Sequence, residues 1–438
     1  MFKFSQVKQR MGHSLFGRFT DANANTIAIE FNPDIIKLGS YLAANRRGAK
    51  AYVGAIGKGP ALVLDFAGYP FVRRLEFTYG DAEADTCGAE SGIYWSVDAV
   101  DWHPIAQLTA RSSYPGGGRR RIDISRPFPS RYIAFHFDRM QLRRIKDLRI
   151  EQELPAVRFG RLEGMCVGAE GFTCKYFSTH TYGLFSNCST ALADVIRLSA
   201  AGVTVKQISF AEGMLQFKDD SQKDVYPVFF QASNHGPAVQ TPVLFDAQAD
   251  NHKHYRHLPL EELGAWARMT FWPSASIQAA AVNLMRTAGV DPARTLAVYY
   301  RGTDKSSEIT LASVAQYISA IETIERETAA QLDILIQTDQ EQVRETIVRR
   351  FGARARFFQS IPTTRGSVGI HDLDFTNDLK LSREGFSVEL IAAVFVISQC
   401  AHVLTATSNV GLWIALYRGN ARQLYQFGAD GELVSPPA

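Results

Sequence analysis

Between residues 295 and 427, short apolar runs alternate with amphipathic stretches of helical length, and this alternation leaves few folds open. Strands are expected at Leu296–Tyr300, Asp333–Gln337, Arg354–Phe358, His402–Ala406 and Gln423–Phe427. Helices are expected at Leu311–Thr328, Gln340–Arg350, Arg383–Gln399 and Asn409–Tyr417, with a long loop from Ser360 to Ser382. Strands interleaved with helices of this length predict a parallel, doubly wound sheet. In such sheets ligands bind outside the C-terminal ends of the strands.

The texture upstream is different. Residues 1–155 carry short runs such as Ala61–Phe66, Phe71–Tyr79, Ile93–Val97, Ile122–Ile124 and Tyr132–Phe137. Turn signals such as Gly116-Gly117-Gly118 and Pro127-Phe128-Pro129 separate them. Short strands with frequent turns predict an all-β sandwich. Trp95 and Trp102 read first as its core and second as a sugar platform. Pro155–Gly171 reads as a connection. Beyond it come a helix at Leu192–Ala201 stopped by Gly202, a strand at Thr204–Phe210 and an extended stretch at Asp224–Gln231. Helices are expected at Glu261–Trp272 and Ser276–Ala288.

At 438 residues the chain exceeds one ordinary domain. The expected organisation is 1–155 as a β-sandwich, 156–290 as an N-terminal α/β lobe on the acceptor side, and 291–438 as a C-terminal lobe. Charge is uneven: residues 1–155 carry 22 Lys/Arg against 16 Asp/Glu, and the remainder carries 25 against 28. The basic excess gathers at Arg119-Arg120-Arg121 and from Arg139 to Arg149. Two readings stand: a solvated β-domain surface, or a patch for acidic polymers or an anionic membrane surface. Met1–Ser5 opens no apolar core of signal-peptide length, and the longest apolar run, Leu390–Ile397, falls short of the ~20 residues of a spanning helix. Five cysteines without a C-x-x-C pair give no zinc spacing and no disulfide framework. The expected address is the cytoplasm, at most peripheral to the inner face of a membrane. No G-x-G-x-x-G follows a strand and no G-x-x-x-x-G-K-[ST] is present, which argues against a dinucleotide cofactor and a P-loop.

Four segments fall at expected strand ends. The first is Arg301-Gly302-Thr303-Asp304-Lys305, with Glu308 just beyond. Arginine on a rigid strand end suits a phosphate, because its planar fork donates two parallel hydrogen bonds. The second is Thr338-Asp339, the third is His371-Asp372 with Asp378 and Lys380, and the fourth is Thr407-Ser408-Asn409, which opens a helix. A hydroxyl-rich helix start offers N–H groups and a favourable dipole to an anion. Each has a plainer reading. Arg301 and Asp304 suit an ion pair, Asp339, Thr407 and Ser408 suit helix caps, and His371 and Glu308 suit a solvated surface. Asn187 suits a helix cap or an acceptor cleft.

The Arg301-x-Thr303-Asp304-Lys305 run, the Thr338-Asp339 strand end and the Thr407-Ser408-Asn409 helix start resemble the fucosyltransferase superfamily. That group includes α-1,6-fucosyltransferases, rhizobial nodulation fucosyltransferases and protein O-fucosyltransferases. The resemblance covers roughly residues 170–430 and is specific mainly after Leu296. It implies a GT-B-like region of two Rossmann-like lobes and an inverting transfer of fucose from GDP-fucose to a glycan, with no metal and no cofactor. By the same resemblance Arg301 holds the donor diphosphate, while Thr303, Asp304 and Lys305 shape the loop. Asp339 reads the base, Thr407, Ser408 and Asn409 meet the phosphates, and His371 belongs to the donor site. Glu308 and Asp372 are the candidates for general base. Two departures matter: the family histidine is Tyr299 here, and the family's second arginine is Gly302. The N-terminal strand rhythm, with Trp95, Trp102, Ser130–Phe135 and Leu148–Glu151, resembles discoidin-type sandwiches, many of which bind carbohydrate or membranes.

The implied partners are a nucleotide sugar and a glycan acceptor of bacterial surface-polysaccharide or glycoconjugate synthesis, together with a polysaccharide-assembly partner or membrane surface, and no nucleic acid. The competing readings are a transferase with another nucleotide sugar, and a non-catalytic glycan-binding protein with a degenerate transferase half.

Overall fold

The computed structural model describes residues 19–23, 26–30, 41–42, 50–56, 59–65, 70–79, 92–107, 119–136, 145–155, 160–168, 171–181, 183–231, 243–302, 310–365, 370, 373, 375 and 381–437. The chain divides into two compact units, Met1–Tyr176 with Arg197–Gln207, and Phe177–Ile196 with Ile208–Ala438.

The first unit is built on antiparallel strands. They are β1 (Phe19–Asn23), β2 (Thr26–Glu30), β3 (Tyr41–Leu42), β4 (Lys50–Ile56), β5 (Gly59–Asp65), β6 (Pro70–Tyr79), β7 (Gly92–Ser96), β8 (His103–Gln107), β9 (Arg119–Pro129), β10 (Tyr132–His136) and β11 (Ile145–Pro155). One sheet has the order β1-β2-β11-β6-β9 and the other β3-β4-β5-β10-β7-β8. The middle of the second sheet is buried on both faces. Ile133, Ala134 and Phe135 of β10 are each fully buried, although their side chains alternate between faces. Trp95 is buried, and the half-buried Trp102 packs with Tyr132 against Ala61, Val63 and Ala134. The tryptophans therefore serve as core. The basic run Arg119-Arg120-Arg121 opens β9.

Three further strands, β12 (Gly160–Gly168), β13 (Gly171–Ser178) and β14 (Val203–Ser209), form a sheet in that order. The expected connection 155–171 is thus largely strand. Helix α1 (Leu184–Ala200) links β13 to β14 and starts eight residues earlier than its apolar periodicity suggests. Leu184, Phe185 and Cys188 are buried, so tertiary packing holds a first turn rich in Ser, Asn and Cys, whose propensity is weak. Asp224–Gln231 is not extended throughout. The Asp224 carboxylate accepts the N–H groups of Tyr226 (3.0 Å) and Phe210 (2.8 Å), which starts a one-turn helix, Tyr226–Phe229, before the strand β15 (Phe230–Gln231). β15 pairs with β16 (Trp272–Pro273), so helix α2 (Leu260–Thr270) stops short of Trp272. Helix α3 (Ala275–Ala288) follows, capped by Ser274 and ended by Gly289 at φ +63°.

The remaining elements are β17 (Thr295–Tyr300), α4 (Val314–Thr328), β18 (Asp333–Thr338), α5 (Glu341–Phe351), β19 (Ala355–Arg356), α6 (Arg383–Gln399), β20 (His402–Ala406), α7 (Asn409–Arg418), β21 (Leu424–Phe427) and β22 (Leu433–Val434). The sheet order is β19-β18-β17-β20-β21-β22. The first five strands run parallel and β22 closes the edge antiparallel. Taken from β17 onward, the parallel strands have the doubly wound order 3-2-1-4-5. Residues of α4 and α5 share one buried cluster with Leu296, Val298, Tyr300, Ile334 and Ile336, and α6 and α7 contribute nothing to it among the described residues. Right-handed crossovers account for this, because reversing the winding direction at β20 puts the next helices on the other face. The strand expected at 354–358 shrinks to β19, an edge position with one neighbour.

Candidate functional site

Register decides which residues share the C-terminal edge of this sheet. Tyr300 pairs with Thr338, and Ala406 with Phe427. Val298 pairs with Leu404, so two residues on, Tyr300 lies level with Ala406. Arg301, Asp339, Thr407 and Gly428 are therefore the first residues beyond one edge. The winding direction reverses between β17 and β20, so Arg301 and the Thr407–Asn409 turn flank the switch point where a crevice opens.

The β17 and β18 ends are latched together. Asp339 Oδ1 accepts the Gly302 N–H at 3.1 Å. A Cβ on Gly302 would lie 2.5 Å from Gln340 Oε1 and 2.7 Å from Tyr300 Cε1, so this position admits only glycine without rearrangement. Behind the latch, the Asp339 carbonyl accepts the Thr364 N–H (2.8 Å), and the Thr364 carbonyl accepts the Glu341 N–H (2.9 Å). One Asp339 oxygen is thus committed to backbone. Burial, and then the Asp339 charge, raise the Tyr300 phenol above its usual pKa.

The turn after β20 is satisfied from within. Thr407 and Ser408 are buried. The Thr407 hydroxyl donates to Phe427 O (3.2 Å) and accepts from Gln426 Nε2 (2.9 Å). Ser408 caps α7, its Oγ accepting the Gly411 N–H at 2.9 Å. The fully buried Tyr255 hydroxyl accepts the Ser408 N–H (2.9 Å) and donates to the Ser408 carbonyl (2.8 Å). A helix start has four N–H groups without intrahelical partners. Tyr255 and the Ser408 hydroxyl satisfy two of them, which leaves those of Asn409 and Val410 beside the half-buried Asn409 side chain. Gln426 holds the Tyr255 segment in place. Its amide donates to Lys253 O (3.1 Å) and its carbonyl accepts the Tyr255 N–H (2.8 Å).

The structure thus brings Arg301, Asp339, Thr407, Ser408 and Asn409 to one edge, with Arg301 half-buried. Thr303, Asp304, Lys305, Glu308, His371, Asp372, Asp378 and Lys380 lie outside the described residues. The chain leaves this edge at Arg301 and is back on it at Thr310, whose N–H bonds Ala429 O (3.0 Å) just past β21. Tyr255, Gln340 and Gln426 escape sequence reading because nothing local marks them. Asn187 is buried, its amide donating to Gly183 O (3.0 Å) and its carbonyl accepting from the Ser178 hydroxyl (3.2 Å).

Replacing Tyr255 with Phe strands the buried Ser408 N–H. A loss of about 1–3 kcal/mol is expected, read as a lower denaturant midpoint at unchanged slope. An unmoved midpoint would contradict this account of the turn.

No protein-family model matches the chain, and no curated protein matches it. Among solved structures the chain is similar to the fucosyltransferase NodZ from Bradyrhizobium, at 13% identity and a TM-score of 0.37, over 60% of this chain and 98% of that one. It is also similar to CBM32-1 from a family 31 glycoside hydrolase of Clostridium perfringens, at 12% identity and a TM-score of 0.19, over 30% of this chain and 98% of that one. A family 29 carbohydrate-binding module matches at 16% identity and a TM-score of 0.16, over 26% of this chain and 70% of that one. At such scores these likenesses decide nothing about chemistry, and the functional reading rests on the site itself. Among the described residues no helix is long and apolar enough to cross a membrane.

Proposed function

We propose that the chain is a glycosyltransferase that takes its sugar from a nucleotide-sugar donor bound at the C-terminal edge of the β17–β21 sheet. The observation that carries this reading is that Arg301 and the turn into α7 follow the C-terminal ends of adjacent parallel strands, β17 and β20, on the two sides of the switch point. A diphosphate there meets a guanidinium on one side, and the N–H groups of Asn409 and Val410 with the Asn409 amide on the other. As the glycosidic bond breaks, the diphosphate gains negative charge. Donors fixed in advance favour that state over the ground state. Asp339, latched to Gly302, lies one strand further along, on the side assigned to the nucleoside.

The finer assignments follow the resemblance. The donor is GDP-fucose, the transfer inverts without a metal, and the acceptor is a glycan of a bacterial surface polysaccharide or glycoconjugate. Thr303, Asp304, Lys305 and His371 complete the donor site, and the resemblance offers Glu308 and Asp372 as candidates for the base. Residues 1–155 form a discoidin-like sandwich that grips carbohydrate, 156–290 the acceptor lobe and 291–438 the donor lobe. The protein works in the cytoplasm, at most peripheral to the inner face of the membrane.

A second reading has one observation in its favour. Gly302 stands where the resemblance expects a second arginine, and the Gln340 side chain would have to shift to admit a side chain there. On that reading the C-terminal unit is a glycan-binding remnant.

A thermal-shift panel of GDP, UDP, TDP and CMP with their sugar conjugates separates the two. A ligand at a hundred times its dissociation constant adds about 2.7 kcal/mol of apparent stability, so binding is visible. A GDP-selective shift is expected. Selectivity for another nucleotide would remove the fucose assignment alone, and no shift with any nucleotide would remove the transferase reading.

A further inference from the structure

A second strand edge in the same compact unit carries a histidine–serine pair that the donor site leaves unused. The residues after β13 meet the residues after β14: the Met214 N–H donates to His180 O at 3.2 Å. A Cβ on Gly213 would come 2.9 Å from His180 O, 3.1 Å from Ser178 O and 3.1 Å from Asn187 Oδ1, so this close approach requires glycine. Met214 itself is held at φ +55°, a conformation uncommon for residues other than glycine. At the centre of this edge His180 Nε2 lies 3.0 Å from Ser186 Oγ, and both residues are half-buried and within reach of solvent.

The pair is linked to the donor edge through α7. Trp413 of α7 donates its indole N–H to Phe185 O (3.1 Å) and Ser189 Oγ (2.9 Å), which bracket Ser186 on α1. Asn409 precedes Trp413 by four residues, one turn and about 6 Å along α7. The first turn of α1 is thereby fixed against the helix whose start flanks the switch point.

We propose that His180 and Ser186 take the proton from the acceptor hydroxyl, an inference that rests on the transferase reading. In the Nδ1–H tautomer, Nε2 accepts the Ser186 hydroxyl proton. As the acceptor oxygen attacks the anomeric carbon, its proton passes to Ser186 Oγ and the Ser186 proton passes to Nε2. The bond from the anomeric carbon to the diphosphate breaks, and its electron pair leaves with the diphosphate. The imidazolium then releases its proton to water. A base in hydrogen-bond reach of the proton it removes is worth roughly 10²–10⁴ in rate.

The test measures nucleoside-diphosphate release from GDP-fucose, UDP-glucose and TDP-rhamnose with water as acceptor, alongside nucleotide thermal shifts, for wild type, His180→Gln, His180→Ala and Ser186→Ala. The expected result is a fall in turnover of about 10²-fold or more in each variant. The nucleotide shift should stay at the wild-type value, and added imidazole should restore part of the His180→Ala rate. Variants with wild-type turnover would overturn the inference and leave the transferase reading standing. Loss of the nucleotide shift without rescue by imidazole would overturn it as well, since the pair would then be holding the fold. A wild type that neither binds nor turns over any of these donors would end both readings.

Discussion

Replacing Arg301 with alanine is expected to lower kcat/KM for the nucleotide-sugar donor by roughly 10²–10³, the usual cost of removing one fixed donor from a developing anion. Arg301 is half-buried at a strand end, so thermal unfolding of the same variant separates this loss from any change in stability. Arg301→Lys should recover part of the loss. An ammonium restores the charge but not the two parallel hydrogen bonds of a guanidinium. Wild-type turnover in Arg301→Ala, measured as nucleoside-diphosphate release, would detach the strand-end arginine from the donor site.

Trp413→Ala should cost about 3–5 kcal/mol, the range for deleting a buried aromatic side chain. Trp413 is fully buried and packs edge-on against Phe271 (5.3 Å) and Tyr417 (5.4 Å), with Phe185 at 6.0 Å. Its removal leaves a cavity and strips the donor from Phe185 O and Ser189 Oγ. Trp413→Phe should cost less, since it keeps much of the volume and loses the indole N–H. Denaturant unfolding of both variants separates the packing contribution from the hydrogen bonds. A loss under 1 kcal/mol in Trp413→Ala would contradict the role given to this residue in joining α1 to α7.

The parallel sheet was legible because its determinants are local. His402–Ala406 and Arg383–Gln399 lie where the apolar pattern places them, and Asn409 opens its helix as expected. Ser382 and Ser408 mark helix starts through bonds made within three residues. The α1 start was hidden because its first turn is weak in propensity and owes its order to burial. The turn at Asp224 was hidden for a related reason: one carboxylate gathers N–H groups sixteen residues apart in sequence. A short apolar run at 354–358 had no way of announcing that it would sit at an edge, where only two residues pair.

The same division runs through the candidate site. The sequence by itself determined that Arg301, Asp339 and Thr407–Asn409 would end strands of one sheet, because strand length and helix spacing are written in apolar periodicity. Only the tertiary structure decided what those residues have left to offer a ligand. It gave one oxygen of Asp339 to Gly302, placed Gln340 where a side chain at 302 would go, and brought Tyr255 across 153 residues to occupy the backbone of Ser408. Buried polar groups must find partners, and which partner arrives depends on how the whole chain closes rather than on the residues beside them.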